Sequence, residues 1–134
     1  MKWPQTEVRP IALTFALSVL IGGCEDRRPP FDVRVLESQL TAAGYRVGPA
    51  PIPDALAGYA SVTCIEATKG KGKDVFCVIR CASSRACEGI RGHTGESFGE
   101  FQRGPSLLVH EACTTDTHTS LTADCTAARA AIGL

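Results

Sequence analysis

The chain has 134 residues, with 14 Lys or Arg balanced by 14 Asp or Glu, so its formal net charge is zero. That balance argues against a nucleic-acid partner, which calls for a basic excess. Seven cysteines in so short a chain point to covalent staples and an oxidising compartment.

The first ten residues are mildly positive, with Lys2 and Arg9 against Glu7. Ile11 to Ile21 is an apolar run of eleven residues. That is the length of a signal-peptide core and short of the ~18 residues a membrane-spanning helix needs. Gly22 and Gly23 follow, then Cys24, then the charged run Glu25-Asp26-Arg27-Arg28. Ile21-Gly22-Gly23-Cys24 resembles the lipobox of bacterial lipoprotein signal peptides, with Ile21 at the aliphatic position and Gly23 at the small one. The resemblance covers residues 1–24 only. It implies cleavage between Gly23 and Cys24, a diacylglyceryl group on the Cys24 sulfur and palmitate-type acylation. The expected location is the bacterial cell envelope, lipid-anchored, with the outer membrane favoured over the inner. One acyl chain holds a protein only marginally, at about 0.8 kcal/mol per buried methylene, whereas two or three hold it durably.

Removing residues 1–23 leaves 111 residues carrying 12 basic and 13 acidic side chains. That is one domain at most: a tether over 24–31 and a single disulfide-rich domain over 32–134. Setting Cys24 aside leaves Cys64, Cys77, Cys81, Cys87, Cys113 and Cys125, an even set that reads as three disulfides.

Pro29 and Pro30 stiffen the tether, and Asp32 sits where a helix N-cap belongs. Val33, Leu36, Leu40 and Ala43 recur at helical spacing before Gly44, which predicts an amphipathic helix over 33–43. Tyr45–Val47 reads as a short strand, and the prolines of 48–54 as an extended connection. Tyr59–Thr68 and Lys73–Cys81 are rich in β-formers and flank Lys69-Gly70-Lys71-Gly72, which predicts a hairpin. Pairing Thr68 with Lys73 places Cys64 opposite Cys77 and Val62 opposite Ile79. Both faces of this hairpin are apolar, so it belongs in the centre of a sheet. Residues 83–90 read as a short helix, with Ser84 as its cap, that brings Cys87 near Cys81. Residues 89–104 form a glycine-rich loop, Ser106–Glu111 a further strand and Thr114–Thr119 a polar linker. Leu121, Cys125, Ala128 and Ile132 stripe a final helix. The expected disulfides are Cys64–Cys77, Cys81–Cys87 and Cys113–Cys125. The expected fold is α+β: a small antiparallel sheet of three to four strands with two main helices packed on it.

The sequence offers no catalytic residues and no cofactor. Cys77-x3-Cys81-x5-Cys87 is not a zinc or iron–sulfur spacing, so no metal is expected. GxGxxG, Walker, GxSxG, HExxH and SxxK patterns are absent. His110 and Glu111 point to opposite faces of their strand, which disfavours a His–Glu pair. His93 lies in the glycine-rich loop and His118 in the polar linker. Lys69, Lys71 and Lys73 make a basic hairpin tip that reads as a solvated turn. The loop over 89–105 is the one segment with binding potential, through Arg91, His93, Phe98, Phe101 and Arg103. These observations lead to a non-catalytic envelope lipoprotein, held to the membrane through Cys24 and engaging an envelope protein partner or serving a structural role. The alternatives are a ligand- or metal-binding module using the 89–105 loop, or a small hydrolase without a recognisable motif.

Overall fold

Asp32 starts the first helix. Its backbone is extended (φ −129°, ψ 124°) and its carboxylate accepts the Arg34 amide at 2.8 Å, satisfying one of the donors a helix start leaves open. Helix α1 (Val33–Ala42) follows and buries Leu36 and Leu40. Gly44 closes it at φ 93°, a left-handed conformation that glycine adopts without steric cost. The computed structural model describes residues 28–95, 98–111, 114–115, 118–119 and 123–134.

Beyond α1 the order is β1 (Arg46–Pro49), a 3-10 turn (Asp54–Leu56), β2 (Val62–Lys69), β3 (Gly72–Arg80), α2 (Ser84–Ile90), β4 (Phe98–Arg103), β5 (Ser106–Glu111), β6 (Thr114–Thr115), β7 (His118–Thr119) and α3 (Ala123–Ala131). The first five strands form one antiparallel sheet in the order β1-β2-β3-β5-β4. Strands β6 and β7 pair as a separate two-stranded ribbon within the segment expected to be a polar linker. The fold is the expected α+β architecture, with its helices packed on an antiparallel sheet.

The hairpin has the expected register, with Thr68 opposite Lys73, Cys64 opposite Cys77 and Val62 opposite Ile79. Pairing continues one step further, to Lys69 and Gly72, so the turn is Gly70-Lys71 and Gly70 takes φ 62°. The Cα atoms of Cys64 and Cys77 lie 4.1 Å apart and the two are disulfide-bonded, at the close spacing of a non-hydrogen-bonded antiparallel pair. Cys81 and Cys87 form a second disulfide. It forms because α2 begins directly after the strand, where the Ser83 hydroxyl accepts the Ala86 amide at 3.1 Å. The cap is thus Ser83, one residue before the one expected. Cys24, Cys113 and the Cys125 side chain lie outside the described residues, so the 113–125 pair does too.

The sheet reaches five strands because residues 98–103 are not loop. They pair along the whole of β5, from Phe98–Glu111 to Arg103–Ser106. Alternation in β4 puts Gly99, Phe101 and Arg103 on one face and Phe98, Glu100 and Gln102 on the other. At the opposite edge, Pro49 ends β1, and a proline on an edge strand discourages pairing with a further chain.

Both faces of the sheet are covered. On one, Leu36 and Leu40 from α1, Ala128 from α3 and Ile132 just after it pack over Ile65, Ala67, Phe76, Val78 and Leu108. On the other, Leu56 of the 3-10 turn and Cys87 of α2 pack over Cys64, Cys77, Ile79, Leu107 and Val109. The chain enters this structure at Phe31, which is 2% exposed. Its amide donates to the Ser106 hydroxyl at 2.8 Å, and that hydroxyl donates to the Arg103 carbonyl at 2.8 Å.

Candidate functional site

The 89–105 segment does not form one binding loop. Gly92 donates its amide to both oxygens of Glu100 at 2.8 and 3.0 Å, and the Thr94 hydroxyl donates to Glu100 at 2.9 Å. A carboxylate on β4 therefore holds the turn after α2 against the sheet, with Thr94 fully buried. Arg91 and His93 are exposed on that turn. Phe98 packs with the disulfide-bearing face. Phe101 packs with the helix-covered face, under the Arg129 guanidinium at 5.1 Å. Arg103 lies over the Phe31 ring at 4.4 Å. The five candidate residues are thus split among an exposed turn and two opposite faces.

The basic hairpin tip is also partly used internally. Lys69 donates to the Ala43 carbonyl at 3.0 Å, closing the C-terminal end of α1, and lies 5.1 Å from the centre of the Tyr45 ring. Lys73 pairs with Glu66 at 3.0 Å, an exposed pair whose contribution is small. A cleft of about 430 Å³ opens here, lined by Tyr45, Lys69, Lys71 and Asp74 among others.

The most concentrated polar chemistry lies inside the helix-covered face. His110 is fully buried and stacks on Phe76, with ring centres 4.3 Å apart and an interplanar angle of 8°. Its Nε2 lies 2.9 Å from Asp74 Oδ1, and Arg129 Nε donates to its Nδ1 at 2.8 Å. Guanidinium nitrogens only donate, so Nδ1 accepts with its lone pair. The imidazole is therefore neutral and Nε2–H donates to Asp74. Three elements supply this network: β3 gives Asp74, β5 gives His110 and α3 gives Arg129. Gly99 makes room for it, since a Cβ there would lie 2.5 Å from Arg129 Nη2. With both ring nitrogens engaged and no exposure, His110 orients α3 on the sheet and offers no free base to a substrate.

Of this network, sequence reading reached only His110 and its facing. Asp74 carried a signal: it shares a strand face with Phe76 and Val78, so alternation turns an acid into the core. Arg129 follows the core residue Ala128 in the last helix, and nothing local marks it.

At the other end of β3 a second cleft, of about 460 Å³, is lined by Pro29, Pro30, Phe31, Val35, Arg80 and Arg103 among others. Among the described residues, no group of three or more His, Cys, Asp or Glu side chains is placed to hold a metal ion, and no helix is long and apolar enough to cross a membrane. Comparison with protein-family models, with curated proteins and with solved structures finds no match for this chain.

Proposed function

We propose that the mature chain is a bacterial envelope lipoprotein: a disulfide-stapled α+β domain displayed from a membrane through lipid on Cys24, with a non-catalytic binding or structural role. The observation that carries this reading is the closure of Cys64–Cys77 and Cys81–Cys87 inside the fold. Disulfides persist outside the reducing cytoplasm, where a lipobox leader would deliver the chain. The internal use of His110, Glu100 and Lys69 supports the non-catalytic part, because each spends its polar atoms holding the fold together. The cleft at the hairpin end, around Tyr45, Lys69 and Lys71, is the surface a protein partner would meet.

Metabolic labelling with a palmitate analogue in the native host, or in a heterologous bacterium, tests the anchor. The wild-type chain is expected to carry label and to sediment with membranes, and Cys24→Ala to lose both. Unchanged membrane association of Cys24→Ala would overturn the reading.

A further inference from the structure

We infer that the cleft between Arg80 and Arg103 seats the phosphate of an anionic phospholipid headgroup, so that the domain docks on the membrane that holds its anchor. This rests on the lipid-anchor reading of Cys24.

Position is the first argument. Pro29 and Pro30, where the chain leaves the domain toward Cys24, line the cleft itself. Only four peptide links separate Cys24 from Arg28, a span of at most about 14 Å even when fully extended. An acylated Cys24 therefore keeps Arg28, at this end of the domain, within about 14 Å of the lipid-bearing residue. Phe31 is buried and its amide is held by Ser106, which fixes the point at which the chain leaves the domain beside the cleft.

Charge is the second argument. Arg80 and Arg103 both stand opposite Ser106, one on each side of β5. Two strand spacings separate their backbones, about 10 Å, which lets two arginine side chains converge on one phosphate. Arginine suits that group because its fork of N–H donors matches phosphate oxygens. Arg80 is exposed. Arg103 is stacked on Phe31, and its Nε is buried without a hydrogen-bond partner. The acid lining the cleft, Asp32, is engaged by the Arg34 amide.

The third argument is apolar. Val35 is 53% exposed on the cleft rim, beside the two prolines. An apolar rim around a cationic seat is the surface an interfacial site presents to lipid. Strand β3 runs from Gly72 to Arg80, about 27 Å at ordinary strand rise. Docking at Arg80 would leave the hairpin tip and its cleft up to that far from the membrane.

The leader contains the chain's one tryptophan, Trp3, so Val35→Trp gives a single-tryptophan reporter once the leader is removed. The probe is mature, lipidated Val35→Trp protein, beginning at Cys24, in phosphatidylglycerol-rich vesicles and in phosphatidylcholine vesicles, with brominated acyl chains as quenchers. Blue-shifted, quenched emission is expected in the anionic vesicles and weaker quenching in the zwitterionic ones. Arg80→Glu with Arg103→Glu is expected to abolish the difference, each lost arginine charge lowering the docking equilibrium constant by about fivefold or more. Arg80→Glu alone changes an exposed side chain and keeps the test decisive if the Arg103 change unfolds the domain. Vesicle-bound protein with water-exposed emission in both lipids would overturn docking and leave the anchor standing. Protein that carries no lipid and floats with neither vesicle would overturn both.

Discussion

The two faces of the sheet are closed by different means. One lies under two helices of ten and nine residues, which bring Leu36, Leu40 and Ala128 into its core, joined by Ile132 at the end of the second. The other lies under a seven-residue helix and a three-residue 3-10 turn, which contribute Cys87 and Leu56. Both described disulfides belong to this thinner side. A short cover removes little apolar area from water, at about 25 cal/mol per Å². Covalent links then make up the deficit by restricting the unfolded chain. The thick side has no disulfide among its described residues and carries a buried polar network instead. Such networks add little net stability but are costly to break. Among the described residues, then, the disulfides sit on the face whose cover is short, and the polar network on the face whose cover is long.

The largest expected effect comes from breaking the network on the thick side. His110→Ala removes the donor to Asp74 and the acceptor of Arg129 together, and should destabilise by about 3–5 kcal/mol, read by urea unfolding. A loss near zero would mean that the network does not hold α3 to the sheet. Leu40→Ala empties a fully buried position on the same side and should cost about 2–5 kcal/mol. Hydrogen exchange should then rise in α1 before it rises in α2. Faster exchange in α2 first would break the assignment of Leu40 to the thick side.

On the thin side, replacing Cys64 and Cys77 together by Ala opens a loop with a sequence separation of 13 and should cost about 3 kcal/mol. Replacing Cys81 and Cys87 opens the shorter loop, with a separation of 6, and should cost about 2.4 kcal/mol. Calorimetry of the two double variants orders them. If the Cys81–Cys87 variant were the less stable, loop length would not be what these bonds supply. The smallest effect is expected from Asp32→Ala, which removes the α1 N-cap for about 1 kcal/mol. Thermal unfolding monitored by circular dichroism would detect it, and an unchanged midpoint would show that the cap contributes nothing.

The legible parts of the fold share a cause. The α1 start and stop rest on Asp32 and Gly44, whose preferences act within one turn of chain. The hairpin register follows from a turn two residues long, and with it the 64–77 bond. Strand β4 was hidden because Gly95, Gly99 and Gly104 resemble loop residues. One of these glycines answers to a tertiary demand and another to a local one. Gly99 admits the Arg129 guanidinium, and Gly95, at φ 129°, lies against the Phe98 ring. The candidate binding residues were grouped by nearness in sequence, which strand alternation then divided between two faces.

The sequence by itself determined the central hairpin, both described disulfides and the first helix, because each is fixed by neighbours a few residues apart or by one tight turn. Tertiary structure alone decided the fifth strand, the Asp74–His110–Arg129 network and the pairing of Arg80 with Arg103 across β5. In the network the hydrogen-bonded partners stand 36 and 19 residues apart. Nothing in a local pattern encodes such a contact; it exists only once burial has brought three elements together and set their polar groups within hydrogen-bond distance.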